Sequence, residues 1–303
     1  MKLLLNGCTG FIGKELIKKL KAENCSLIIF SRNPDKNRSL EDKHTKVFYW
    51  DGTDTSLILK HLENTDGIIN LAGEPIVNKR WSQSQKQLLR GSRINTTQSI
   101  VKALPMATKK LEVLINASAV GYYGNVENET VIETHKKGVG FLADLCEDWE
   151  KEALKAKEFG VRVVILRTGI VLEKDGGALN QMLLPFKLFS GGPLGSGKQW
   201  FPWIHRDDVV NIILYSLKNK NTQEQINITA PNPVTMEDFC KTLGHVLNRP
   251  SWLPMPELAL KLLLGEMSEV LLTGQKAFPQ KLIEANYKFI YPKLEDALKA
   301  ILI

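Results

Sequence analysis

Short apolar runs and longer amphipathic stretches alternate through the first 170 residues of the chain. The runs "KLLLNG", "SLIIFSR", "KVFYW", "GIINLAG", "LEVLINAS" and "VRVVILRTG" have the length and residue types of strands. Between them, "GKELIKKLKAEN" and "WSQSQKQLLRGSRINTTQSIVKAL" place apolar residues at helical spacing. A helix between two strands carries the chain back across the sheet, so the alternation predicts an α/β fold with a doubly wound parallel sheet.

After Val171 the texture changes to Gly-rich and Pro-rich connections, as in "EKDGGAL" and "FSGGPLGSGKQWFPW", mixed with amphipathic helices. The pattern divides the chain into a sheet domain over residues 1–172 and a smaller α/β substrate lobe over 173–303. The lobe is packed against the first domain, or interleaved with it, around a cleft. In the lobe, "EQINITAP" is one more strand, and "TMEDFCKTLGHVL" is a helix that Thr235 caps with Asp238 three residues on. No internal repeat or free linker interrupts the 303 residues.

Composition narrows the field. With 43% hydrophobic and 24% charged residues the chain has enough apolar content for a large core, which excludes disorder. No run of 18 apolar residues occurs, and the "LLL" after Lys2 is too short for a signal peptide, so no membrane partner is expected. Cys8, Cys25, Cys146 and Cys240 form no CxxC pair, which argues for a reducing, cytoplasmic setting and against a metal site. The net charge of +7 is spread along the chain in a way that suits a phosphorylated small molecule better than nucleic acid.

The chemistry starts at "KLLLNGCTGFIGKELIKKL". Gly7, Gly10 and Gly13 fall after a strand and before a helix, with Thr9, Phe11 and Ile12 between them. Tight turning and close approach to a diphosphate both favour residues without a β-carbon there, and the helix N-terminus adds partial positive charge. This is the fingerprint of a dinucleotide-binding Rossmann domain. About 20 residues on, an acidic side chain would suit the adenine ribose of NAD. The second strand instead ends in Ser31-Arg32, a hydroxyl and a guanidinium that suit the 2′-phosphate of NADP (NADPH). Asp51, closing the third strand, stands either to face the adenine or to cap its turn.

At this point "GCTGFIG", "NLAGE" and "SAVGYYG" resemble the extended short-chain dehydrogenase/reductase superfamily, in its nucleoside-diphosphate-sugar epimerase form. With "GSRINTT", "GGALNQMLLPF", "GGPLGSGKQWFPWIHRDDV" and "FPQKL", the resemblance runs nearly end to end and narrows to an atypical epimerase-family subgroup, the 39U type. Relatives of that type carry labels such as sugar-nucleotide epimerase, NADP-dependent oxidoreductase or cell-division inhibitor. Typical superfamily members hold Tyr-x-x-x-Lys on the helix after the fifth strand, where a spacing of four puts both groups on one face. None of the six tyrosines here has a lysine four residues later. Registration on Glu150 puts Leu142 and Cys146 at the two positions.

The resemblance implies that Leu71, Ala72 and Gly73 pass beneath the adenine ribose and diphosphate. It also implies that Arg93 reaches the cofactor, and that Arg167 and Val171 border the nicotinamide half. Candidates for the missing acid and base are Tyr123, with its hydroxyl at the cleft mouth, Ser118 facing the nicotinamide, and Glu74 as a base or ribose ligand. "GPLGSGKQ" nearly spells a phosphate loop, but Gln199 stands where a hydroxyl should hold magnesium and "WFP" where a helix should start. It is expected instead to cover the cleft, with Lys198 and Gln199 toward an anionic ligand. Asp208 in "WIHRDDV" is expected to start a helix as its N-cap and pin the two lobes together. His205 is the histidine in a recognisable motif, as a packed group or a base.

These features point to an NADP(H)-binding oxidoreductase or epimerase-like enzyme acting on a small molecule, with a nucleotide sugar as the candidate substrate. The alternative is a degenerate, NADPH-sensing module that contacts a protein partner, as in cell-division control. By analogy with the superfamily a homodimer is expected.

Overall fold

The computed structural model describes residues 1–77 and 79–303. Its main sheet holds β1 (Lys2–Asn6), β2 (Ser26–Ser31), β3 (Thr45–Tyr49), β4 (Gly67–Asn70), β5 (Val113–Ala119), β6 (Arg162–Thr168) and β7 (Glu224–Ile228). In space the order is β7-β6-β5-β4-β1-β2-β3, and every pairing is parallel. The chain winds outward from β1 to β3, then returns to β4 and winds the other way. At that reversal, between β1 and β4, the connections leave in opposite directions and a crevice opens beyond the carboxyl ends of the strands.

The helices of eight or more residues are α1 (Phe11–Ala22), α2 (Thr55–Leu62), α3 (Gln83–Ala103), α4 (Phe141–Leu154), α5 (Gly177–Lys187), α6 (Arg206–Lys218), α7 (Met236–Leu247), α8 (Glu257–Leu264) and a C-terminal helix, Leu294–Leu302. Strand alternation sorts the sheet's side chains between two cores. Leu3 and Leu5 meet Leu16, Leu20 and Ile213 from α1 and α6, whereas Leu4 and Ile68 meet Ile58, Ile100 and Ala153 from α2, α3 and α4. A parallel sheet covered on both faces explains why its strands read as continuous apolar runs.

A third core joins Leu179, Leu183 and Phe186 of α5 to Phe239 and Leu243 of α7 and Leu298 of the C-terminal helix. The division expected at residues 172 and 173 does not part the two bodies. The run "EQINITAP" is β7, the edge strand beside β6, and α6 packs on α1 over the sheet. The lobe is thus interleaved with the sheet. Thr235 and Asp238 form the expected capping box of α7.

The junction is held at one buried carboxylate. Asp208, fully buried on α6, accepts from the backbone N–H of Ile290 (2.8 Å) and of Tyr291 (3.0 Å). It pins the C-terminal segment but is not the N-cap expected of it. That place belongs to His205, whose Nδ1 accepts from the Asp207 N–H at 3.0 Å while its ring stacks on Tyr291. Burial lowers the pKa of His205 to about 4, so the folded protein keeps it neutral.

The sign of the pH effect follows. The unfolded chain takes up a proton at this position below about pH 6.5 and the folded chain does not, so stability drops as pH falls from 7 to 5, by about 1–2 kcal/mol. His205→Asn keeps a cap acceptor and removes the titration. Urea unfolding at the two pH values should show a shallower loss in the variant; parallel losses would rule out His205 as the responsible group.

Candidate functional site

At the reversal of the sheet, β1 hands over to α1 through the glycine turn. Gly7 has φ +70°, and a β-carbon on it would stand 2.3 Å from the Ala72 backbone nitrogen. One on Gly13 would stand 2.2 Å from the Cys8 carbonyl oxygen, so α1 sits as close to β1 as backbone permits. Gly10 differs, since a β-carbon there would meet nothing within 4 Å. It is the N-cap of α1 and supplies no side-chain hydrogen bond, so the first-turn N–H groups are left to an outside acceptor. Thr9, Phe11 and Ile12 line the same turn in half-exposed positions, and the Phe11 ring lies against Gly176 at the start of α5.

On one side of this turn stands Arg32, just past β2, with its side chain 68% exposed. On the other stands Glu74, just past β4, with a carboxylate oxygen 3.7 Å from the Arg32 guanidinium. Because β1 lies between β2 and β4, the ion pair spans the end of β1. Glu74 is therefore at the Arg32 end of the crevice, not at the far end where a base or nicotinamide-ribose ligand was expected. Ser31 does not reach outward either. Its buried hydroxyl oxygen accepts from the Asn33 N–H (3.0 Å) and the Asn37 side chain (3.1 Å), shaping the turn that presents Arg32. Asp51 caps its turn, with Oδ1 accepting from the Thr53 N–H and hydroxyl.

Beneath the crevice runs a ladder that belongs to no motif of the sequence. Asn6, Asn70 and Asn116 lie in register on β1, β4 and β5. The Asn6 amide donates to Asn70 at 2.9 Å, and the Asn70 amide donates to Asn116 at 2.7 Å and to the Thr97 hydroxyl at 3.1 Å. Thr97 also accepts from the Trp149 indole N–H at 3.0 Å, which ties α3 and α4 to the ladder. The signal was present in the sequence, for three of the apolar runs end in Asn.

Arg93, one turn before Thr97 on α3, lies between the Trp149 ring and Gly73, where a β-carbon would come 2.9 Å from the guanidinium carbon. It donates to the carbonyls of Leu89 (3.1 Å) and Glu74 (2.9 Å) and forms no ion pair with a carboxylate among the described residues. Burial lowers its pKa below the ordinary arginine value. Leu71, Ala72 and Gly73 cross between these groups and the glycine turn.

The face of α4 that should carry an acid and a base is apolar. Leu142 and Phe141 belong to a cluster with Trp81, Leu145 and Met267, and Cys146 is buried, with its pKa raised to about 11 by that burial and by the Glu150 charge. Ser118 does not face the crevice. It donates to Glu150 at 2.6 Å, since strand alternation turns it beneath α4. Arg167, its register partner on β6, turns the same way, away from the nicotinamide half that the resemblance implies for it. Arg167 is 2% exposed and binds both oxygens of Glu150, at 2.9 and 2.7 Å, so it does not border a cofactor. Burial opposes the Arg167 charge, but hydrogen bonds to Glu150 and the opposite charge outweigh it and hold its pKa above the ordinary value.

Tyr123 completes this buried network. It is 1% exposed, so its hydroxyl is not at the cleft mouth; it donates to Asn227 (2.7 Å) and accepts from Arg167 (3.1 Å). Burial raises its pKa to about 12. Val171 is likewise a core side chain, packed among the residues beneath α1 and α6. Gln199 anchors its own loop, donating to the carbonyls of Leu194 (2.9 Å) and Leu271 (2.8 Å), which leaves Lys198 exposed beside it.

Residues 3–229 match the NAD dependent epimerase/dehydratase family, and residues 255–301 match a domain of unknown function (DUF1731). The chain is similar to the chloroplastic SDR39U1 homolog of Arabidopsis thaliana, an epimerase family protein, at 43% identity over 100% of this chain and 87% of that one. It is similar to the epimerase family protein YfhF of Bacillus subtilis (strain 168) at 38% identity, over 100% and 98% of the two chains. The crystal structure of the human epimerase family protein SDR39U1 (isoform 2) with NADPH superposes with a TM-score of 0.87, at 32% identity over 99% of each chain.

The Arg167–Glu150 pair makes a stability prediction. Arg167→Met leaves a buried carboxylate without its cation and should lower the unfolding free energy by about 3–5 kcal/mol in chemical denaturation. Adding Glu150→Leu to the same chain should recover a large part of that loss. A single variant within about 0.5 kcal/mol of the native protein would show that the pair does not hold the core.

Proposed function

The chain belongs to the NAD dependent epimerase/dehydratase family, and we propose that it is an NADP(H)-dependent oxidoreductase or epimerase-like enzyme that works without the usual tyrosine and lysine. The observation that carries the cofactor choice is Arg32, an exposed guanidinium beyond β2 where NAD enzymes of this architecture place a carboxylate. The human relative crystallised with NADPH supports it.

The residues fit the cofactor. Gly7, Gly10 and Gly13 leave the room a β-carbon would fill, and the uncapped start of α1 offers N–H groups to the diphosphate. Arg32 takes the 2′-phosphate, Asp51 stands at the adenine edge, and Leu71, Ala72 and Gly73 run beneath the ribose and diphosphate. Arg93 supplies a fixed positive charge at the same strap. When bound, NADPH supplies the hydride chemistry.

What the chain contributes beyond binding is position and exclusion of water. Tyr123 and Ser118 are committed to the buried network and Glu74 is paired with Arg32 at the other end of the crevice, so proton transfer at the nicotinamide end would fall to a group of the substrate or to water. The substrate we propose is a small molecule, with nucleotide sugars first by family, and the cytoplasm is the compartment that four buried free cysteines suit. One observation favours a second reading. The apolar cluster around Leu142 fills the place of the acid-base pair, which suits an NADPH-sensing module that contacts a protein partner.

Two measurements decide these points. Titration calorimetry with Arg32→Gln should show NADPH binding weakened by about 10- to 100-fold, with NADH nearly unchanged; equal effects on both cofactors would overturn the 2′-phosphate assignment. NADPH oxidation is then followed with a panel of carbonyl compounds and nucleotide sugars. Turnover of any of them supports the enzyme, whereas tight cofactor binding with no turnover on any of them leaves the sensing module.

A further inference from the structure

Glu74 stands between two guanidinium groups of the cofactor crevice. Its carboxylate lies 3.7 Å from Arg32, and its backbone carbonyl accepts from Arg93 at 2.9 Å. Its own N–H donates to the Ser92 hydroxyl at 3.0 Å, so α3 holds the residue at both its N–H and its carbonyl. The side chain of Glu74 is 19% exposed, whereas that of Arg32 is 68% exposed. Of the two partners, Arg32 is therefore the one free to swing. Among the described residues, Glu74 is the carboxylate that pairs with it.

The form of the contact separates competition from support. A carboxylate that orients a guanidinium binds it through hydrogen bonds, as Glu150 binds Arg167 at 2.9 and 2.7 Å. Arg32 and Glu74 stand farther apart than a hydrogen bond allows, so the pair attracts without aiming the fork. It also spans the end of β1, beside the first-turn N–H groups of α1 that Gly10 does not cap. An anion arriving at Arg32 meets a guanidinium already partly neutralised, with a fixed negative charge beside it.

We infer that Glu74 is a specificity-determining residue, one that competes with the 2′-phosphate of NADPH for Arg32. This role rests on the assignment of that phosphate to Arg32 and sets an opposing charge against it. A phosphate carries more charge than a carboxylate and forms with a guanidinium the hydrogen bonds that Glu74 does not. Arg32 therefore turns to the cofactor, while Glu74, held by α3, stays behind as a like charge. NADH brings no phosphate to displace Glu74, so its binding leaves the pair intact. Glu74 thus lowers the affinity for NADPH and not for NADH, and it narrows the preference that Arg32 creates.

Fluorescence titration of the full chain with NADPH and with NADH tests this role. Glu74→Gln keeps the backbone bonds to Ser92 and Arg93 and removes the charge. It should tighten NADPH binding about 3- to 10-fold and leave NADH within about 2-fold, because an exposed ion pair and a neighbouring like charge are each worth little. Glu74→Asp, which keeps the charge, should gain less. Raising the salt to about 0.5 M should narrow the difference between the native protein and Glu74→Gln, since exposed charges are screened. The Arg32→Gln variant separates two failures. If it binds NADPH as the native protein does, the phosphate assignment falls and the competition with it. If it binds NADPH more weakly, but Glu74→Gln binds no tighter than the native protein, the assignment stands and the competition is overturned. A gain that is equal for NADH, or that salt does not narrow, points to a shifted strap and overturns it as well.

Discussion

The site rests on a row of three amides. Asn6, Asn70 and Asn116 are buried, lie in register, and satisfy one another across three adjacent strands. A buried amide without a partner costs on the order of 1–3 kcal/mol, so a one-residue slip of any of the three strands would break the row and expose that cost. The row thus holds the carboxyl ends of β1 and β4 level with the middle of β5, which runs on to Ala119. The glycine turn, the strap at Leu71 to Glu74 and the turn after Ala119 all spring from those ends. Thr97 and Trp149 extend the same constraint into α3 and α4, so the helix that carries Arg93 is set by the strands it lies over.

The opposite end of the crevice is organised by exclusion. On this face of α4 the chain carries Leu142, packed with Trp81 and Met267, and the buried Cys146. The polar groups nearest in sequence have been drawn inward. Ser118, Tyr123, Glu150 and Arg167 satisfy one another and reach Asn227 on β7, and Asn227 in turn donates to the Phe278 carbonyl in the C-terminal segment. The network fastens the lobe to the sheet. Its groups are buried and bonded to one another.

The fold was legible because its periodicities were clean. All six apolar runs are strands of the main sheet, the glycine spacing falls at the expected strand-to-helix turn, and the capping box of α7 is where Thr235 and Asp238 place it. What did not show was direction. Position along a strand tells that Ser118 and Arg167 are near the carboxyl edge, but the parity that turns them under α4 depends on which helix covers which face. The Asn ladder escaped for a related reason, since an Asn after an apolar run reads as a turn residue until its register partners are known. The edge strand β7 follows the start of the lobe in sequence, so chain order alone assigns it to the lobe.

That late arrival bears on how the molecule is made. As the chain leaves the ribosome, the first six strands are complete by Thr168, but the apolar face of the sheet that α6 covers stays bare until Lys218, and β6 remains an open edge until Ile228. An unpaired edge beside uncovered leucines and valines is the part of a nascent protein most open to wrong pairing. Some sixty residues after Thr168 must therefore be synthesised before the sheet is sealed. The sheet is therefore closed only by a strand that the lobe delivers.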